Sequence, residues 1–422
     1  MGRARPGPAG LAVTALEDVL PVDAERAVLV GRVWDVETGG PRPVAVRGDE
    51  VVDLFDVAPT VSALLEADDA PARVAAAPAG RRWRLEDLLE GSLARTRERP
   101  HLLAPVDLQV VKACGVTFAD SMVERVIEER CAGDPARAAQ VRAVVQEALG
   151  TSAGTVEPGS AEAAALKEAL LGQGLWSPYL EVGLGPDPEV FTKAPVLSSV
   201  GWGAQVGVPA FSSWNNPEPE LVLVVDSAGR PRGATLGNDV NLRDVEGRSA
   251  LLLGMAKDNT ASSALGPFVR LFTDGSDGSD GSDGSDGSDG FGLDAVRAER
   301  ITLRVEGADD GYLLEGANDV SRLSRSFERL VAAAFGPHHQ YPDGFALYTG
   351  TLFAPIQDRG APGMGFTHRT GDRVTISSPR LGALSNEVAP TEGLPPWDFG
   401  VGALADYLVA RAGAGAPGAR TP

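Results

Sequence analysis

Glu218 and Glu220 stand two residues apart and lead into Leu221, Val222, Leu223, Val224 and Val225, an aliphatic run that reads as a β-strand. Positions i and i+2 of a strand face the same side, so both carboxylates aim at one spot. The strand breaks at Asp226-Ser227-Ala228-Gly229-Arg230-Pro231, which has turn composition, and resumes at Gly233 to Val240. A hairpin centred between Ala228 and Gly229 puts Asp239 across from Glu218 and Gly237 across from Glu220. A third carboxylate thereby joins the pair. Opposed like charges destabilise a sheet, so the trio calls for a proton or a divalent cation, and an all-oxygen donor set suits Mg²⁺, Mn²⁺ or Ca²⁺ better than zinc or copper. A plainer arrangement has Glu218 and Glu220 on the wet face of an edge strand, with Asp239 capping the next element. Against it, Asn215-Asn216-Pro217 and Gly237-Asn238 place tight turns at the mouth of the cluster, as ligand sites often do. Asn238 is therefore a candidate substrate contact.

Other motifs accompany this hairpin. The order E-x-E, hydrophobic strand, G-N-D-V-x-x-R-D (Gly237 to Asp244), G-x-x-K (Gly254 to Lys257) and G-P-F (Gly266 to Phe268) resembles the fumarylacetoacetate hydrolase superfamily. T-G-T (Thr349 to Thr351), G-D-x-V-x-I (Gly371 to Ile376) and G-x-L-x-N (Gly382 to Asn386) extend the resemblance from about Pro105 to Val388. Within that superfamily, the short spacing from the Glu pair to the Asp and the long N-terminal part resemble the 2-keto-3-deoxy-pentonate dehydratases. The resemblance implies a metal held by Glu218, Glu220 and Asp239, with Mg²⁺ (or Mn²⁺ or Ca²⁺) as cofactor. It also implies a small anionic keto acid as substrate and a homodimer or homotetramer. The implied reaction removes a C3 proton from the 2-keto-3-deoxy-pentonate, through an enolate that the metal stabilises, and expels the C4 hydroxyl to give 2,5-dioxopentanoate. Acylpyruvate hydrolysis, decarboxylation and isomerisation share the enolate step, and a non-catalytic metal-binding scaffold is a rival of another class.

This chemistry needs one base and one acid, and three residues are candidates. Lys257 follows an aliphatic run, where dehydration is expected to lower its pKa toward acid/base values. Glu124 matches the Glu of the superfamily's N-Y-x-x-H-x-x-E segment, although it also fits a solvated helix face beside Glu128, Glu129 and Arg130. Lys193 matches the Lys of an F-x-K-x-P strand (Phe191 to Pro195), though an isolated lysine is commonly just a solvated cation. In the first of these segments Thr117, Phe118 and Ser121 replace Asn, Tyr and His. Ser121 supplies no base for water at neutral pH, which disfavours hydrolysis. Ser121, Thr351 and Arg248 join Asn238 as candidate substrate-binding residues: Thr351 by its T-G-T match, Arg248 as a lone cation able to draw in an anion. Thr351 also fits a turn-stabilising hydroxyl. Asp244 fits a structural ion network with Arg243 and Glu246.

The composition is that of a globular protein: 422 residues, 23% charged, 43% hydrophobic. A net charge of −20 without a basic stripe argues against a nucleic-acid partner. Two cysteines outside any C-x-x-C context argue against a disulfide framework and fit a reducing, cytoplasmic setting. Neither a signal peptide nor an 18-residue apolar run is evident, so no membrane partner is expected.

The expected fold class is α+β: a small N-terminal β-rich domain, then a mixed β-sheet roll or sandwich of fumarylacetoacetate hydrolase type with peripheral helices. The expected divisions are a flexible N-terminus (1–25), a small α+β domain (26–100), a catalytic domain (101–408) and a flexible tail (409–422). A strand is expected at Trp176 to Gly183, after an Ala-rich helical insertion from Asp134 to Leu175. The D-G-S repeat at 273–291 has no apolar residue inside it and is expected to form a disordered surface loop.

Overall fold

The computed structural model describes residues 16–78, 80–138, 140–142, 156–172, 174, 176–273, 290–351, 357–360 and 365–414. The strands are β1 (Leu29–Asp35), β2 (Gly40–Arg47), β3 (Glu50–Asp53), β4 (Arg82–Arg84), β5 (His101–Leu103), β6 (Val110–Gly115), β7 (Glu189–Ala194), β8 (Gln205–Val208) and β9 (Asn215–Asn216). They continue with β10 (Pro219–Val225), β11 (Pro231–Asp239), β12 (Asn241–Leu242), β13 (Ser263–Leu271), β14 (Arg300–Glu306), β15 (Leu313–Asp319), β16 (Phe345–Tyr348), β17 (Arg373–Ser378) and β18 (Gly382–Pro390). The large sheet has the order β4-β3-β2-β1-β13-β11-β10-β16-β6-β7, with β5 also paired to β1. A second sheet, β15-β14-β17-β18-β8, lies against it, and β9 and β12 form a short ribbon. Helices surround the two sheets, as the α+β expectation holds.

The aliphatic run of β10 is continuous because both of its faces are covered. Leu221, Leu223 and Val225 pack toward Ile301, Leu303 and Val305 of the second sheet. Val222 and Val224 face the other way, among Leu265, Val269 and Tyr348 and residues of the helix Val61–Leu65. Each such side chain contributes roughly 1.5–3 kcal/mol on burial. Glu218 and Glu220 continue the Val222/Val224 row by the two-residue period, at the point where the apolar layer ends. The hairpin register is as expected: Glu220 opposes Gly237 and Pro219 opposes Asn238. A bulge at Val224/Val225 then feeds the turn, where Asp226 N–H donates to Arg230 O.

Four findings differ from the sequence expectations. The boundary at residue 100 is crossed by the sheet, since β1 pairs antiparallel with β13 and β2, β3 and β4 extend it outward. Residues 16–25 are anchored rather than loose: Val19 is buried, and its carbonyl accepts from Ala383 N–H. The helix Val401–Ala414 runs beyond 408, seating Leu404 and Tyr407. Trp176 to Gly183 is not a strand, because Ser177 caps the helix Pro178–Leu184 with proline at its first turn. Of the expected insertion, the helix Ala161–Gly172 is described. Residues 274–289 of the D-G-S repeat, residues 1–15 and residues 415–422 lie outside the described residues. The two ends of the repeat meet, as Thr273 N–H donates to Phe291 O at 2.8 Å.

Candidate metal centre and active site

Glu218, Glu220 and Asp239 are all buried, and each offers an oxygen within 4.8 Å of the others. Two of them are matched by cations. Lys257 Nζ lies 2.5 Å from Glu218 Oε2 and 3.0 Å from Asp239 Oδ2. Arg125 reaches Glu218 Oε1, and Lys193 Nζ lies 2.7 Å from Asp239 Oδ1. Glu220 instead accepts the main-chain N–H of Gly350 at 2.6 Å. Burial, followed by the charges of Asp239 and Glu218, pushes its carboxyl well above the usual range. A buried carboxylate of this kind beside two others is a hard-donor set that fits one divalent ion, which Glu218, Glu220 and Asp239 would hold.

The cavity over this trio is also lined by Ser121, Arg125, Glu189, Glu246, Lys257 and Thr351, and its free volume is about 20 Å³. That is room for one water or ion. Lys257 is protonated: burial lowers its pKa, but Asp239 and Glu218 outweigh burial and raise it above the usual lysine value. The expected lowering is thus overturned, because dehydration comes together with two contacting carboxylates. Lys193 behaves in the opposite way, with burial outweighing Asp239 and lowering its pKa. Its ammonium donates to Val240 O, Lys257 O and Ser262 Oγ, and it does not line the cavity.

Other candidates fall outside the cavity. Glu124 pairs with Arg142 and lies 3.4 Å from Arg243. Asn238 uses Oδ1 to accept the Glu218 N–H at 3.2 Å, so it orients a carboxylate from behind. Arg248 is exposed after the helix Arg243–Glu246. Ser121 does line the cavity, but its hydroxyl donates to Phe118 O at 2.8 Å. Asp244 accepts from Ser212 Oγ and Ser213 N–H and so ties a loop, while Arg243 pairs with Glu128.

Three cavity residues were missed from the sequence, although two left a signal there. Arg125 follows Ser121 by four positions on the helix Ala119–Cys131 and so shares its face. It bridges Glu218, Glu128 and Glu246. Glu189 precedes Phe191 by two on β7 and lies on the same face. Its carboxyl has no hydrogen bond or ion pair among the described residues, and burial above all pushes its pKa up. Glu246 is pushed up to about 7 by burial, against the lowering effect of Arg125.

The large mixed sheet, the second sheet and the acidic trio at the hairpin base define the class. The fold is that of a solved 2-keto-3-deoxy-D-arabinonate dehydratase in apo form (TM-score 0.57, 20% identity, covering 86% of this chain and 99% of that one). A structure of such a dehydratase complexed with magnesium and 2,5-dioxopentanoate aligns with TM-score 0.56 at 20% identity, over the same shares of the two chains. In sequence, the chain is similar to a probable 2-keto-3-deoxyxylonate dehydratase of Haloferax volcanii, 30% identical over 210 residues, which is 50% of this chain and 63% of that protein. It is also similar to a 2-dehydro-3-deoxy-D-arabinonate dehydratase of Saccharolobus solfataricus, 29% identical over 201 residues, 48% of this chain and 58% of that protein. Neither alignment reaches two thirds of the relative's length. No family model matches the chain. Both relatives carry the kind of name that the motifs resemble. No helix among the described residues is long and apolar enough to cross a membrane.

Proposed function

We propose that this chain dehydrates a 2-keto-3-deoxy-pentonate to 2,5-dioxopentanoate with the help of one divalent cation. The observation that carries the reading is the convergence of Glu218, Glu220 and Asp239, all buried, on a cavity walled by Lys257 and Arg125. The ion would be held by the three carboxylates and would supply Lewis acidity toward the 2-keto oxygen. Arg125 and Lys257 offset part of the carboxylate charge at the cavity, so that a divalent ion there would leave room for an anionic substrate in a chain of net charge −20.

The reaction takes a proton from C3 and breaks the C4–O bond, so that the hydroxyl leaves as water. A proton shift from C5 to C3 then leaves an enol across C4 and C5, and transfer of its hydroxyl proton to C4 gives the C5 aldehyde. Two groups at the cavity wall can move these protons. Glu189, free of other partners among the described residues, is the candidate base, and the Lys257 ammonium is the candidate acid toward the departing hydroxyl. Lys193, tied to three acceptors, positions Asp239 and the Lys257 carbonyl. Glu124 takes no part in proton transfer, because Arg142 and Arg243 occupy it.

Elimination is favoured over hydrolysis by Ser121, whose hydroxyl is turned to Phe118 O and cannot activate water. The chain is further proposed to work in the cytoplasm as a homodimer or homotetramer. Incubation with Mg²⁺ and a panel of 2-keto-3-deoxy sugar acids and acylpyruvates tests the function. A semialdehyde product is expected; release of pyruvate from an acylpyruvate, with no semialdehyde from any sugar acid, refutes it.

A further inference from the structure

We infer that the chain carries a second ligand site, one for a small planar anion, in a cavity of about 480 Å³ that shares no wall with the carboxylate cavity. It forms where the segment from Arg95 to Leu102 meets loops at 197–205, 260–261 and 394–398. Its volume is that of a small-molecule pocket.

Backbone strain marks the same place. Five non-glycine residues among those described have positive φ, and three of them, Arg95, Leu197 and Ala261, line this cavity. Arg95 closes the helix Leu85–Ala94 in a left-handed cap, which accounts for its conformation. Leu197 (φ 66°) and Ala261 (φ 58°) end no helix, and strain of this kind gathers at ligand clamps.

The wall chemistry selects the ligand. Trp202 is a buried part of the wall. Trp397 is 47% exposed, and its Nε1 is already committed to Phe399 O, so what it offers is a ring face for stacking. Arg97 pairs with Asp398 at 2.5 Å, but both side chains are at least half exposed. Such a pair is worth little in water, so the guanidinium can turn to a bound carboxylate at small cost. Arg95, fixed by two 2.9 Å bonds to Glu387, has its charge compensated and shapes the wall, so Arg97 is the cation offered to the anion.

The cavity is joined to the lysines of the first site. Ser199 Oγ in its wall lies 2.8 Å from Ser263 Oγ, and Ser263 opposes Asp239 across β11 and β13. Ala261 is followed by Ser262, whose hydroxyl donates to Lys257 O and receives Lys193 Nζ. A ligand pressing on Ala261 therefore acts on the segment that anchors both lysines, and its occupancy alters the affinity of the carboxylates for a divalent ion. This coupling, unlike the site itself, rests on the metal reading.

The test is calorimetric titration of the full chain, without metal, with 2-naphthoate, 2-naphthol and cyclohexanecarboxylate. One naphthoate is expected per chain, with naphthol and the non-planar acid each weaker by about tenfold or more. Trp397→Ala and Arg97→Gln should each weaken naphthoate binding about tenfold, and Trp397→Phe should restore most of it. Unchanged affinity in both Trp397→Ala and Arg97→Gln overturns the site, whether or not a metal binds elsewhere. For the coupling, Mn²⁺ titration with and without saturating naphthoate should differ at least about threefold, reciprocally in the two orders of addition. Equal Mn²⁺ affinities overturn the coupling while leaving the site to the first titration.

Discussion

Replacing Glu220 with Gln is expected to stabilise the metal-free protein while destroying its response to metal. Glu218 is met by Arg125 and Lys257, and Asp239 by Lys193 and Lys257, but among the described residues Glu220 has only the Gly350 N–H as a hydrogen-bond partner. Two carboxylates no farther than 4.8 Å from it each cost roughly 3.5 kcal/mol at an effective dielectric constant of 20 if all are ionised. Proton uptake limits this penalty. With an ordinary value of 4.5 for the unfolded carboxyl, the cost at pH 7 cannot exceed about 3.4 kcal/mol, because the folded group can instead take a proton. The folded pKa is raised, so the unfolded chain binds fewer protons above pH 4.5 and stability falls as pH rises toward the folded pKa. Gln escapes this loss, and its side-chain carbonyl can still accept the Gly350 N–H. Urea unfolding in EDTA should show the variant about 1–3 kcal/mol more stable than wild type at pH 7, with the advantage shrinking toward zero near pH 4.5. Saturating Mg²⁺ at 100 times its Kd should then add about 2.7 kcal/mol to wild type alone. A variant no more stable than wild type at pH 7 in EDTA, or one that still gains from Mg²⁺, refutes the reasoning.

Glu189→Gln should reduce turnover by about 100-fold or more with Mg²⁺ affinity within about threefold, as measured by calorimetry; near-normal turnover removes Glu189 as the base. Glu124→Gln should leave turnover within about threefold of wild type, although stability falls by about 1–3 kcal/mol as Arg142 and Arg243 lose a partner, and loss of activity in a folded variant would return Glu124 to the site. Lys257→Met removes one of the two cations at each of Glu218 and Asp239, leaving them to Arg125 and Lys193, so a loss of about 1–3 kcal/mol in EDTA is expected by urea unfolding, with partial recovery in Mg²⁺. Asp372, held down to about 2 by hydrogen bonds from Arg359 and the Arg369 N–H and by nearby His368 against burial, contributes stability that is full above pH 3.8 and is lost as pH falls through 2. Asp372→Asn should therefore narrow its stability gap to wild type between pH 5 and pH 2 in urea titrations.

The trio was legible because strand period and turn composition fix register locally: one residue of slip would have turned Glu218 and Glu220 away from Asp239. The partners of the trio were less legible. Arg125 and Glu189 come from a helix and a strand far off in sequence, and only their i+4 and i+2 relations to recognised residues hinted at a shared face. The Lys257 pKa was misread because local hydrophobicity reports dehydration but not the carboxylates that arrive by tertiary contact. Residues 176–183 read as a strand through Tyr179, Leu180 and Val182, whereas the Ser177-Pro178 start specifies a helix. The join of β1 to β13 could not be read at all, since pairing between distant segments leaves no local trace.

Strand β16 lies between β10 and β6, pairing antiparallel with one and parallel with the other. During synthesis, both of those strands leave the ribosome long before Phe345–Tyr348 does. Until that short piece arrives, each shows a bare hydrogen-bonding edge to solvent, so the nascent chain is expected to be most prone to aggregate in this interval. Ribosome-bound chains ending before residue 345 should accordingly depend on chaperones far more than chains released at full length.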